Sequence, residues 1–366
     1  MSDVAHPTTT AEVSDVMRDA AARRLVVVAR GRGTKHSWGL PTSADLVVDL
    51  SGMDRVLDHQ AGDLIVEAQA GARLADVQAA VGTAGQRLGL DETVPGASIG
   101  GTLATNASGP LRMHCGTARD LLIGVTVVRA DGVVAKAGGR VVKNVAGYDL
   151  GKLVVGSFGT LAVITEAIFR LHPVPAVHRW VNVEAPGRLP DVTRAVVHSQ
   201  AVPWAVEVDG DTLSVLLGGR PDGVAARVRT VQDLVGGTVS DTAPDWWGAY
   251  PWLPGETGLK VTFALSGLGD VLTAAAAVGA RVRGSAGTGV VYAAVADPDA
   301  VPTALERLRG TCARHGGTVV VVEAPEAVRR TVDVWGPVPA VDLMRRVKDQ
   351  FDPEHRLAPG RFVGGI

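Results

Sequence analysis

The chain is poor in cysteine, in aromatic side chains and in excess charge of either sign. Its 366 residues include two cysteines, Cys115 and Cys312, far apart and with no CxxC pair. That excludes a disulfide framework, an iron–sulfur ligand set and structural zinc. A reduced, cytoplasmic protein is the expectation, with a peripheral place at the inner membrane through partners as the alternative. Aromatic residues are 4% of the chain and hydrophobic ones 46%, so the core is one of Val, Ala and Leu. The formal net charge is −2, and basic residues form no runs. Neither nucleic acid nor an anionic membrane surface is expected as a partner. No window of about 18–20 residues is apolar throughout, so no membrane span is expected. The polar, acidic opening MSDVAHPTTTAEVSDVM lacks a basic segment followed by an apolar one, so no secretory leader is expected either. His178, His198, His315 and His355 are scattered, with no i,i+4 pair and no acid at ligand spacing, and no metal site is expected.

What the chain does have is glycine, 45 residues of it, gathered in three informative places. Residues 94–109 read VPGASIGGTLATNASG. Backbone there can approach a flat ring or a pyrophosphate, because almost nothing projects from it. Exposed N–H groups in such turns make a concave anion site. The segment GRGTK at 31–35 follows a strand, and GSFGTLAVITEA at 156–167 is a glycine-rich turn leading into another. A Rossmann fingerprint does not fit at 31–36. The third glycine of GxGxxG is replaced by His36, and residues 37–41 contain Gly and Pro and do not open a helix.

The first half alternates short Val-rich strands with loops and helices, at 25–29, 46–49, 64–67 and 122–129. Ala130-Asp131-Gly132 between apolar runs signals a hairpin. A long strand over 161–171 ends in a Pro-punctuated exit, which sets the first domain boundary at 175. Residues 180–240 and 259–322 then repeat one order, strand–helix–strand–strand–helix–strand, which implies an antiparallel sheet with helices on one face. Between the repeats, DTAPDWWGAYPWLPGE at 241–256 carries Trp246, Trp247 and Trp252. It is read either as aromatic filling between the repeats or as a partner surface. Residues 341–351 form an amphipathic helix that Pro353 ends.

RGRGTK, PGASIGGTLATNASG, the segment at 119–132 and KNVAGYDLGKLVVGSFGTLAVITEA at 143–167 together resemble the vanillyl-alcohol oxidase, or PCMH-type, flavoprotein family. More narrowly, the last of these and the closing FDPEHRLAPGRF resemble the FAD-binding subunit of bacterial glycolate oxidase. The resemblance implies an α+β architecture: a PCMH-type FAD-binding domain (1–175), a cap of antiparallel sheet with helices in two βαββαβ units (176–325), and a C-terminal helix and tail (326–366) that pack back towards the flavin. It implies FAD contacts from Gly31, Arg32, Gly33, Thr34 and Lys35, from Pro95, Gly96, Ser98, Gly100, Gly101, Thr105, Asn106 and Gly109, and from Gly159, Thr160 and Ile164. Members that attach flavin covalently carry a histidine where Thr34 stands, so noncovalent FAD is expected, with His36 the rival point of attachment.

The same resemblance implies oxidation of a 2-hydroxy acid. That chemistry needs a hydride acceptor, a base for the hydroxyl proton and a cation for the carboxylate. The segment LRMHCGTARD at 111–120 offers Arg112, His114 and Arg119; a local Arg119–Asp120 ion pair and a satisfied polar His114 are the alternatives. Tyr148 is a further candidate, either near the ring or packed in the core. The histidine-rich cap motif of single-chain relatives is absent. The expectation is therefore a subunit of a complex with a larger flavoprotein and an iron–sulfur subunit. A stand-alone FAD-dependent alcohol or hydroxy-acid oxidase, and a non-redox binding module on the same fold, are the competing readings.

Overall fold

The computed structural model describes residues 2–140 and 148–366. Residues 143–147 of the KNVAGYD motif lie outside them. The chain divides into two units. The first comprises Met1–Ser108, Gly116–Val174 and Val338–Ile366; the second comprises Gly109–Cys115 and Pro175–Pro337.

The first unit holds two main sheets. One is parallel, in the order Asp3–Ala5, Leu46–Asp49, Val27–Arg30. The helix Thr10–Ala22 buries Val13, Met17 and Ala20, spaced four and three residues apart along one face. Its N-cap, Thr9, accepts a hydrogen bond from the Glu12 amide. The other sheet is antiparallel, in the order Val56–Gln60, Ile65–Gln69, Val163–Arg170, Leu122–Val128, Val134–Gly138. The Asp-Gly signal is borne out: Leu122–Val128 pairs antiparallel with Val134–Gly138, and Gly132 turns the chain at φ +81°. In Val163–Arg170 the side chains of Val163, Thr165, Ala167 and Phe169 are all fully buried, which fixes the register of this central strand.

The C-terminal segment belongs to this unit. Helix Val341–Phe351 stops at Asp352, just before Pro353. The chain then runs beside Val27, with Leu357 bridged in parallel to it. The Val27 amide donates to Arg356 O at 2.8 Å, and the Ala358 amide donates to Val27 O at 2.9 Å.

The second unit is one eight-stranded antiparallel sheet with helices. Both expected repeats are present. Val177–Glu184, Leu189–Val197, Ala205–Asp209, Thr212–Gly219, Pro221–Val235 and Thr238–Ser240 form the first. Thr257–Thr262, Leu268–Ala276, Arg281–Ser285, Val290–Val295, Val301–Arg314 and Val319–Glu323 form the second. They merge where Ala205–Asp209 pairs with Arg281–Ser285. The junction pairs one edge of each half-sheet that would otherwise stand open.

Two segments fall elsewhere than the sequence-based boundaries place them. Residues 109–115 group with the second unit, where Leu111 packs with Ala205 and Leu216 in a cluster flanked by Trp180, Trp204 and Trp247. Residues 326–337 also stay there. The Val321 amide donates to Val334 O at 2.8 Å, and Arg329 Nε donates to Ala324 O at 3.1 Å. The aromatic segment 241–256 packs on its own unit. Trp247 meets Trp180 edge-on, and Tyr250 stacks on Trp252 with centroids 4.3 Å apart. Leu253, 62% exposed, is the large apolar side chain there that faces solvent.

Candidate functional site

The three glycine-rich segments converge in the first unit on an open cleft. One wall is the turn after strand Val27–Arg30. Gly33 takes φ +73°, and the His36 amide closes the turn on Gly33 O at 3.1 Å. A second wall is the helix Ile99–Thr105. Ser98 caps it by accepting from the Gly101 amide at 3.2 Å. This helix start crosses residues 70–72 closely. The Gly100 amide donates to Ala70 O at 2.7 Å, and a Cβ on Gly100 would come within 2.9 Å of Ala70 Cβ. A third wall is the turn at 156–159, whose Phe158 amide donates to Ala104 O at 2.8 Å.

Of the sixteen residues that the resemblance points to, the cleft brings together Gly31, Arg32, Gly33, Thr34, Lys35, Ser98, Gly100, Gly101, Thr105, Gly159 and Ile164. Pro95, Gly96, Asn106 and Thr160 flank these segments without lining it, and Gly109 belongs to the second unit. Asn106 is the left-handed C-cap of the helix, at φ 49°. The buried Thr160 donates its hydroxyl to Ser157 O at 2.8 Å.

The charges in the cleft are unequal. Arg30 is tied to Asp49 at 2.7 Å. Burial pushes the Asp49 carboxyl up, but hydrogen bonds from Ser51 and Arg30 hold it below its ordinary value. Arg32 donates to Gly71 O at 3.1 Å and pairs with Asp54. Lys35 differs. It is 6% exposed, and its ammonium is buried with no hydrogen-bond partner among the described residues. Burial pulls its pKa down to about 8, against a weaker upward pull from Glu92. An unpaired, desolvated cation is costly unless an anion meets it. Two cleft glycines pack closely on Ser98: a Cβ on Gly31 would overlap Ser98 Oγ, and one on Gly101 would come within 3.0 Å of the same atom. A buried cation beside side-chain-poor backbone fits a dinucleotide with a diphosphate bridge. FAD supplies a ring system that accepts a hydride.

Sequence reasoning missed Arg361, which lines the cleft from the far end of the chain. It is 7% exposed, and its guanidinium donates to Lys35 O, His36 O and Trp38 O at 3.3, 3.2 and 3.4 Å. It braces the turn that carries Lys35. The closing motif signalled its presence but not this role.

The four catalytic candidates separate. Tyr148 is fully exposed, which corrects the reading that packs it in the core. Arg119 is exposed in the first unit, where its carbonyl accepts from Lys152 Nζ at 2.6 Å. Asp120 is held below its ordinary value first by the Thr117 amide in a capping box, and only weakly by Arg119. His114 and Arg112 lie in the second unit. His114 stacks on Trp204, with centroids 4.1 Å apart. Arg112 is partly buried and donates to the Tyr292 hydroxyl at 3.1 Å. Among the described residues no cluster of His, Cys, Asp or Glu is arranged to hold a metal, and no helix is long and apolar enough to cross a membrane.

Comparison with known proteins agrees with the cleft. Residues 2–138 match the family model described as "FAD binding domain". The chain is 32% identical over 218 residues to "Glycolate oxidase subunit GlcD" of Bacillus subtilis, covering 57% of this chain and 46% of that protein. It is 41% identical over 98 residues to "Glycolate oxidase subunit GlcE" of Escherichia coli, covering 26% of this chain and 28% of that one. The chain thus spans less than half the length of these two relatives. A solved "alkyldihydroxyacetonephosphate synthase" shares the fold, with a TM-score of 0.72 at 16% identity over 98% of this chain and 77% of that one. Residues 2–138 are thus identified as an FAD-binding domain, and they contribute the first two walls of the cleft.

Proposed function

We propose that this chain is an FAD-dependent oxidoreductase for a small 2-hydroxy acid, working as one subunit of a glycolate oxidase-type complex. The observation that carries the reading is the Lys35 ammonium, buried without a hydrogen-bond partner among the described residues, in a cleft walled by Gly31, Gly33, Gly100 and Gly101. Lys35 would hold the diphosphate, while the glycine-rich walls, which carry little side-chain bulk, would admit the rings. The similarity to two proteins named as glycolate oxidase subunits supports the substrate class and the multi-subunit setting. A partner would supply iron–sulfur ligands, since Cys115 and Cys312 are single buried thiols.

The test is an absorption spectrum of the purified chain before and after acid precipitation, followed by dye reduction with glycolate and lactate. A flavin spectrum that passes into the acid supernatant supports noncovalent FAD. A colourless chain that gains no thermal stability from added FAD overturns the reading. Turnover that rises on adding the co-expressed larger flavoprotein supports the subunit role. Full turnover by the chain alone favours the stand-alone reading.

A further inference from the structure

The second unit holds a group of charged and phenolic side chains on the sheet face that Gly258 shares. A Cβ on Gly258 would overlap the Trp252 ring. Lys260 lies two residues along the same strand and therefore on that face, while Leu259 and Val261 are fully buried on the other. Lys260 is the direct cross-strand partner of Tyr292. Arg112 donates to the Tyr292 hydroxyl at 3.1 Å. Tyr250 meets Tyr292 edge-on at 4.6 Å.

Arg112 and Lys260 bring two cations to Tyr292. Glu207 acts on Arg112 as a carboxylate, but more weakly than Tyr292 does. On the next strand Arg283, the other cross-strand partner of Tyr292, is already held by both oxygens of Asp209, at 2.8 and 3.1 Å. The Lys260 ammonium makes no hydrogen bond or ion pair with the described residues, although the side chain is only partly exposed. Tyr292 itself is 9% exposed.

We propose that Arg112, Lys260 and Tyr292 form a binding site for the carboxylate of a small organic acid. The guanidinium and ammonium offer the paired, charge-assisted donors that a carboxylate accepts best, and the phenol hydroxyl adds a neutral one. The electrostatics agree. Burial would push the Tyr292 phenol up, yet the two cations hold it below its ordinary value. Lys260 is itself pulled down first by burial, with Tyr292 pulling it up and Arg112 adding a smaller downward pull. An entering carboxylate relieves this mutual repulsion. The site rests on the proposed function only for its natural ligand, a 2-hydroxy acid.

The experiment uses the full FAD-loaded chain and oxalate, a carboxylate that cannot be oxidised at a hydroxyl carbon. Calorimetry should show oxalate binding that weakens about ten- to hundredfold in Lys260→Met. Absorbance near 295 nm should show one low tyrosinate transition that oxalate moves to higher pH and that Tyr292→Phe removes. Absence of oxalate binding, or Lys260→Met binding it as the natural sequence does, overturns the site. So does a tyrosinate transition that ignores oxalate. If oxalate binds as expected but no hydroxy acid reduces a dye, with or without partners, the proposed function fails and the carboxylate site stands. If hydroxy acids are oxidised with an unchanged KM in Lys260→Met, the site fails and the function stands.

Discussion

Lys348 Nζ lies 2.6 Å from Asp352 Oδ2 with both side chains wholly buried, one helical turn apart. The ammonium also donates to Thr160 O at 2.7 Å and Leu357 O at 2.9 Å. The same carboxylate oxygen accepts the Leu357 amide at 2.7 Å. One ion pair therefore ties the C-terminal helix, the tail beside Val27 and the segment next to Gly159. Replacing one partner strands the other charge. Lys348→Met should cost about 3–5 kcal/mol in chemical denaturation. Lys348→Met/Asp352→Leu should be less destabilised than the sum of the single variants, a coupling that a double-mutant cycle measures. Additive losses would show that the pair contributes nothing beyond packing.

Lys35 is the opposite case, a buried charge with no hydrogen-bond partner among the described residues and only the Trp38 ring 5.9 Å away. Lys35→Met should leave the FAD-free chain more stable, by about 1–3 kcal/mol at neutral pH, while weakening FAD binding at least tenfold. Thermal melting and flavin fluorescence titration read the two effects separately. A variant that loses stability and keeps its FAD affinity would contradict the assignment.

The depressed pKa of Lys35 also gives a pH signature. In the FAD-free fold it lies at about 8, against an ordinary 10.5. The folded chain therefore holds fewer protons than the unfolded one between these values, and stability should rise with pH across that window. Below about pH 8 the cost of burial is present in full. A diphosphate stabilises the ammonium, so FAD binding takes up a proton above pH 8. FAD affinity should fall as pH rises through that range, by up to about tenfold per pH unit, and Lys35→Met should abolish the slope.

Much of this was legible in the sequence, for identifiable reasons. The βαββαβ repeats show because each strand and helix carries its own apolar period, as in Leu259 and Val261 alternating with Lys260. The cleft showed in its glycines, since the Gly100 crossing over Ala70 and the Gly33 turn demand that residue. What the sequence hid depends on long-range pairing. Nothing local in Arg361 says that it reaches carbonyls more than 320 positions away. Lys260 and Tyr292 meet only because two strands pair in one register. Residues 109–115 look continuous with the flavin loop, yet Leu111 finds its core partners in the second unit.

Gly101 separates folding from cofactor binding. It sits in the first turn of a helix and lines the cleft. The nearest atom to a new Cβ is the hydroxyl of Ser98, not backbone. Gly101→Val should thus leave circular dichroism intact and abolish the flavin spectrum. Gly100→Val, which meets Ala70 backbone, should instead destabilise the fold. Normal FAD binding by Gly101→Val would remove that helix from the cofactor site.

Arg361 reaches three carbonyls of one turn from a single planar fork, and that geometry is specific to guanidinium. Arg361→Gln leaves buried carbonyls of residues 35, 36 and 38 short of donors, and the Lys35 turn should loosen. The expected result is faster FAD release, read by stopped-flow displacement, with a smaller loss of global stability than Lys348→Met shows. Arg361→Lys should fail to restore the slow release, because one ammonium cannot span the three acceptors. Restoration by lysine would mean that the residue acts through charge alone, not by bracing the loop.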